Sequence, residues 1–401
     1  MSKYGIIYGM FERGNQMMRG VFAAFCLATS LAAFAAEPDI DVTGVGNRKF
    51  SASIRVGDAE FTKCLKKNLE ISGLFVVSDS GSIKVEGVPG AIRATGLGKS
   101  VGSTMAFADA KGARIAARAL ADEMCAAFGR QKGFAQDLVV FINRGKFSGK
   151  GDAVPGELCT AYPDGFDIRQ LTSDGKMTIF PRWQVPGESI LYISDRNGAP
   201  QIWEMNLKTG RRAVKWSFKG SPAGVAVSPD GSKVAAILSI HGNPELYILE
   251  GGRYIRLTNT PNASEGQPTW SPDGKKIAYV SNETRTPQIY VVDVATKAKR
   301  RLTSRGSQNV DPDWGRDGRI VYITKRGASQ VAVMSPAEGD AGAEIITEPS
   351  NWEHPSWTRD MRHVIANRDG ALFVVDTLKD GDKPRQMFHA SGNWISPSIV
   401  K

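Results

Sequence analysis

Cysteine and histidine are both scarce, four of each among 401 residues, and the scarcity removes whole classes of fold and chemistry. Cys26 lies inside an apolar N-terminal stretch, which leaves Cys64, Cys125 and Cys159, too few for a disulfide scaffold. Two readings stay open for Cys64 and Cys125: one bridge, or two small apolar residues on helix faces. His241, His354, His363 and His389 are scattered along the chain, so they read as solvated or locally bonded side chains, and no metal or other cofactor is expected. H-E-x-x-H does not occur, which removes the zincin signature, and the one G-x-S-x-G string, Gly98 to Gly102, is not read as a nucleophile elbow. GLGKS at Gly96 has Arg93 where a phosphate loop needs glycine, and GVGNRK at Gly44 has Lys49 where a dinucleotide fingerprint needs its third glycine.

Long apolar runs are equally few. VFAAFCLATSLAAFAA follows Arg19 and is shorter than the roughly 20 residues that cross a bilayer; no other stretch comes near that length. Ala33-Phe34-Ala35 is the small-x-small pattern of a signal-peptidase site, so residues 1–35 read as a signal peptide, with Met17 or Met18 as the natural start. The mature chain begins at Ala36 or Glu37, and the protein is expected to be exported, soluble and periplasmic. Phe25 before Cys26 is too bulky for lipoprotein processing. Lysine and arginine total 51 against 41 acidic residues, and removing the leader leaves 48 against 40. With no basic run longer than Lys299-Arg300-Arg301, that excess suggests solubility or an acidic partner, not nucleic acid.

What is abundant is turn-forming residues, 43 glycines and 20 prolines. They fall in a repeat. FPRW, QPTW, DPDW, HPSW and SPSI carry Pro181, Pro268, Pro312, Pro355 and Pro397; from Pro268 onward the steps are 44, 43 and 42 residues, and Pro181 to Pro268 is a double step of 87. The missing member falls at SPAGVAV. Each Pro is followed by a turn (SPDG at Ser228 and Ser271), an apolar strand such as KIAYVSN from Lys276, and an alternating strand such as QIYVVDV from Gln288. RLT-like pieces at Arg169, Arg256 and Arg301 supply a fourth, short strand. Four strands in about 43 residues describe a propeller blade. Five full units are expected, at about 168–210, 211–252, 253–297, 298–341 and 342–382. A sixth is composite: SGNWISPSIV gives only an inner strand, while LVVFINR and ELCTAYPDGFD give later strands with no inner one. The expected organisation is a small α/β domain over 36–134 and a six-bladed β-propeller over 135–401, closed by strands from both ends.

In the N-terminal part, AEFTKCLKKNLEISGLF places Phe61, Leu65 and Leu69 at helical spacing, with Gly73 to stop the helix. GARIAARALADEMCAAFG does the same through Ala116, Leu120 and Met124. FTKCLKKNLEISGLF, IRQLT at Ile168 and PTWSPDGKKIAYVS at Pro268 together resemble the TolB family, the periplasmic component of the Tol-Pal cell-envelope system. The chain departs from that pattern in a shorter segment between Leu74 and Gly112, and in GRDG at Gly315 and TRDM at Thr358 where SPDG is usual. The resemblance implies a monomeric, non-enzymatic hub that binds a Pal-like outer-membrane lipoprotein at the ring and couples to a TolA-like inner-membrane protein, in support of outer-membrane integrity and division. It also implies that the tail EPDIDVTGVG occupies the position of a partner-responsive segment. Two other readings are weighed from the repeats alone: an exported propeller enzyme of lyase or glycosidase type, and a carbohydrate-binding envelope protein.

The residues before each repeated Pro begin an inner strand, so they are expected to ring a mouth of the central channel. Phe180, Gln267, Asp311, Glu353, His354 and Trp394 are the candidate partner-binding set, because aromatic anchors with few charges suit an interface better than a catalytic pocket.

Overall fold

The computed structural model describes residues 49–145, 155–378, 381, 383–388 and 392–399. The expected signal peptide, the tail EPDIDVTGVG and His389 lie outside the described residues.

The first unit is a five-stranded sheet covered by two helices, α1 (Ala59–Ile71) and α2 (Ala110–Gly129). Asp58 caps α1 by accepting from the Phe61 N–H, and Asp109 caps α2 by accepting from Gly112, which satisfies amides that a helix start leaves open. Gly73 follows α1 in the left-handed conformation, at φ 70°, and ends it as the sequence implied. The faces predicted to be apolar are the ones buried: Phe61, Leu65 and Leu69 of α1 pack with Ala116, Leu120 and Met124 of α2 against Ile83, Val85 and Ile92 of the sheet. GLGKS forms the hairpin between Ile92–Gly96 and Lys99–Ser103. Cys64, Cys125 and Cys159 are all buried and free, so the bridge reading of Cys64 and Cys125 gives way to the apolar one.

The remainder is a six-bladed β-propeller. Blades 1 to 5 each run in chain order from an inner strand outward, and their inner strands are Thr178–Val185, Pro222–Val227, Glu265–Trp270, Gln308–Trp314 and Trp352–Trp357. Blade 6 takes its inner strand, Trp394–Ile399, from the far end of the chain, and its outer three, Val139–Asn143, Glu157–Ala161 and Arg169–Gln170, from before blade 1. The composite closure is therefore as expected. The unit frame is not: Arg169–Gln170 is the outermost strand of blade 6, so each sheet begins on the repeated Pro and not on the RLT piece. Spacing fixes a period but not its phase.

Burial explains why the blades need one another. Six apolar clusters fill the six junctions between neighbouring blades, for example Ile277, Tyr279 and Val292 of blade 3 against Ile237, Leu246 and Ile248 of blade 2. Each fully buried Ile or Leu contributes about 1.5–3 kcal/mol, and an isolated sheet would leave one of these faces in water.

The SPDG turns close as their chemistry predicts. Ser271 Oγ donates to Asp273 Oδ1 at 2.6 Å and accepts from Lys276 N at 2.9 Å, while Gly274 takes φ 67°. TRDM makes the same turn with other residues: Thr358 Oγ1 donates to Asp360 Oδ1 at 2.6 Å, and Met361 accepts the left-handed position at φ 54°.

Candidate functional site

The inner strands share an unusual backbone. Phe180, Gln267, Asp311, His354 and Ser396 all have φ between 48° and 54°, each directly before the repeated Pro. The left-handed region is costly for non-glycine residues and crowded by a following Pro. Each of these inner strands slips register against its neighbour at that point, the mark of a bulge, and bulges re-aim side chains. Blade 2 has Gly224 and Val225 here instead, which is the missing repeat member. A Cβ on Gly224 would meet Pro268 Cδ of blade 3 at 3.0 Å, so the next blade's proline occupies the space.

The aimed side chains bond from blade to blade. Gln267 Oε1 accepts from the Asp311 backbone N–H at 2.9 Å, and its Nε2 donates to Asp311 Oδ1. Asp311 Oδ2 accepts from the His354 backbone N–H at 3.0 Å, and His354 Nδ1 lies 3.2 Å from Asp311 Oδ1. The Asp311 and His354 side chains are only 8% and 10% exposed. Burial alone would raise the Asp311 carboxyl, but the neighbouring His354 and its hydrogen bonds hold it below the ordinary carboxylate value. Burial pulls the other way on His354, and Asp311 more than offsets it, so the imidazole holds its proton to higher pH than usual.

One step further along each strand a second layer faces the axis: Arg182, Thr269, Asp313, Ser356 and Ser398. Thr269 Oγ1 accepts from Trp314 N at 3.1 Å and Asp313 Oδ2 from Trp357 N at 2.8 Å. The repeated tryptophans add bonds in the same direction, with Nε1 of Trp183, Trp270 and Trp357 donating to the carbonyls of Ser398, Ala226 and Asp313 in the preceding blades. Burial draws the Arg182 guanidinium below its usual value, opposed by Asp313 and Asp311. Sequence reasoning missed this layer, although its members all stand at one fixed offset, directly after the repeated Pro.

These layers line a cavity of about 520 Å³. It runs from Phe180, Gln267, Asp311 and His354 at one end to Pro186, Pro229, Pro272 and Arg316, all exposed, at the turn end. The hydrogen-bonded residues therefore line the end of the cavity away from the SPDG turns, where all four are half-buried. Glu353 is exposed and does not line the cavity. Trp394 is 6% exposed, packed edge-on against Phe141 and Phe388 in the junction of blades 5 and 6. It is corrected to a core residue: it follows the strand's pleat into the blade interface instead of toward solvent. Trp352, near the same ring in sequence, is likewise buried. Among the described residues no group of three or more His, Cys, Asp or Glu converges in a way that could hold a metal ion.

Comparison with known proteins bears on this arrangement. A family model described as the TolB beta propeller domain matches residues 127–399. The Tol-Pal system protein TolB of Anaeromyxobacter dehalogenans is 31% identical over 164 residues, 40% of this chain. That match spans only 36% of the relative's own length. The crystal structure of TolB from Acinetobacter baumannii superposes with a TM-score of 0.74 at 21% identity, covering 88% of this chain and 96% of that one. A putative TolB from Agrobacterium tumefaciens gives a TM-score of 0.51 at 18% identity, covering 65% of this chain and 92% of its own. At those identities the two structures speak to the fold.

Proposed function

The chain belongs to the TolB beta-propeller family, and from that membership we propose that it is a periplasmic, non-enzymatic, monomeric protein-binding scaffold of a Tol-Pal cell-envelope system. It holds a Pal-like outer-membrane lipoprotein at the ring and couples it to a TolA-like inner-membrane protein, supporting envelope integrity during division. The observation that carries this reading is how the cavity uses its charges. Asp311 and Asp313 accept backbone N–H groups of the next blade, which commits them to holding the ring. The exposed end offers instead a rim of Pro186, Pro229 and Pro272 over Trp183, Trp270 and Trp314. Rigid apolar edges around a concavity suit the capture of a protein segment, whereas acid-base chemistry needs free ionisable pairs. On this reading the candidate residues Phe180, Gln267, Asp311 and His354 are the floor beneath the partner.

Titration calorimetry with a purified Pal-like domain tests the proposal. Arg316→Glu, on the exposed rim, is expected to weaken binding about tenfold, the cost of a misplaced interface charge, with an unaltered melting temperature. Glu353→Ala, away from the cavity, is expected to leave affinity unchanged. The reverse pattern would move the partner to the opposite mouth. Absence of binding by the unaltered protein would overturn the scaffold reading.

A further inference from the structure

The channel leaves the outer rim of the ring unexplained, and that rim is unevenly charged. In blades 1 to 3 the hairpins joining the third and fourth strands lie on the turn side of the ring. These hairpins and the strands that follow carry Lys208, Arg211, Arg253 and Lys297, all exposed. None of the four side chains is in an ion pair among the described residues. Of the carboxylates nearby, Glu250 lies 3.6 Å from Lys233, Asp293 accepts from the amides of its own turn at Ala295 and Thr296, and exposed Glu188 sits beside the blade 1 hairpin through the Leu207 amide. The basic character stops at blade 4, whose corresponding segment carries Glu338 and Glu344, both exposed.

A second feature coincides with the middle of this arc. Tyr254 and Ile255, on the outermost strand of blade 2 (Arg253–Arg256), are 55% and 45% exposed. Large apolar side chains left in water beside unpaired cations are the composition of an interfacial anchor, in which an aromatic and an aliphatic group enter the headgroup boundary while basic groups meet anionic lipid. We propose that the outer corner of blades 1 to 3 docks on a bilayer surface bearing anionic headgroups, with Tyr254 and Ile255 inserted at the centre and the flanking cations held electrostatically. The apolar pair selects this partner over an acidic peptide or a nucleic acid. A polyanion in water offers no apolar phase for the exposed Ile255. The inference is independent of what occupies the channel.

Cosedimentation with vesicles provides the test. The purified protein is expected to bind vesicles of mixed phosphatidylglycerol and phosphatidylcholine, to ignore phosphatidylcholine alone, and to release as salt rises. Reversing the arc with K208E, R211E, R253E and K297E together should weaken binding by about tenfold or more. Tyr254→Ser with Ile255→Ser should weaken it severalfold while leaving the salt dependence intact, which separates insertion from charge. All substituted positions are exposed, and an unshifted melting curve verifies folding of each variant. Three results would each overturn the proposal: no vesicle binding at any anionic fraction, binding unchanged in the reversed variant, or retention on heparin without retention on vesicles.

Discussion

Asp311 shows how one side chain couples three blades. It accepts from the His354 amide, contacts the His354 ring, and is bonded by Gln267 from the other side. Asp311→Ala leaves a buried imidazole and a buried carboxamide without this partner, and the expected loss is about 3 kcal/mol, typical of breaking a buried pair from one side. The pH dependence follows from two opposite shifts. The depressed Asp311 carboxyl contributes stability above its unfolded value of about 3.9, and that contribution is lost as pH falls through its folded value. The raised His354 imidazole contributes fully below its unfolded value of about 6.5, and that contribution is lost as pH rises through its folded value. The melting advantage of the unaltered protein over His354→Gln should therefore be widest between about pH 4 and 6.5 and should narrow at alkaline pH. A gap that widens with pH would mean that His354 is neutral in the fold.

At the scale of strands and junctions, Glu265 opens the inner strand of blade 3 and is buried against blade 2. Burial pushes its carboxyl up to about 7, and its Oε1 shares the Thr260 hydroxyl with Glu245, whose other oxygen meets Arg256 at 2.8 Å. A protonated Glu265 donates to Thr260, which donates on to Glu245, so the junction holds one negative charge instead of two. The unfolded chain ionises Glu265 near pH 4.3 while the fold keeps the proton to about 7, so stability falls across that interval. Glu265→Gln keeps a donor without the charge. It should gain on the unaltered protein as pH rises from 4 to 7, by on the order of 3 kcal/mol, and level off above; a difference that does not vary with pH would contradict the assignment. Much at this scale was legible beforehand. Alternating strands, SPDG turns and the Pro period each state a local requirement, and the blades follow from them. The hydrogen-bonded end of the channel was not legible, because it depends on a left-handed residue before Pro, a conformation that neighbouring residue types argue against. Trp394 was misplaced for a related reason: adjacency to Ile395 and Ser396 in sequence says nothing of which side of the pleat faces the axis.

The whole molecule has two joints that hold it as one body. The first is ring closure, where Trp394–Ile399 pairs with Val139–Asn143 and the Ser398 carbonyl receives Trp183 of blade 1. Deleting residues 392–401 removes that strand and opens an edge between blades 5 and 1, so a broadened, lowered melting transition is expected, and an unchanged one would contradict this mode of closure. The second joint fastens the helical domain to a loop of blade 6, alongside the bonds of Lys67 Nζ to the Met387 carbonyl and Gln131 to Asp360, and it was not legible beforehand because its partners lie over forty residues apart. Asp164, with no side-chain exposure, receives Arg118 Nε of α2 at 2.7 Å and Asn68 Nδ2 of α1 at 2.9 Å. Arg118, itself 2% exposed, reaches Asp167 at 2.9 Å and lies over the Tyr162 ring at 3.8 Å. Arg114 joins Asp167 to Glu60. A buried pair of this kind is worth little against a well-packed apolar substitute but is expensive to break on one side only, about 3–5 kcal/mol. Arg118→Ala is therefore expected to split calorimetric unfolding into two transitions, with the helical domain melting first. Arg118→Met with Asp164→Leu, which removes both members of the buried pair and leaves Asp167 to Arg114, should restore most of the single transition. If Arg118→Ala melts as one unit at the original temperature, the two domains are held by their apolar contacts, and the ion pair only sets their angle.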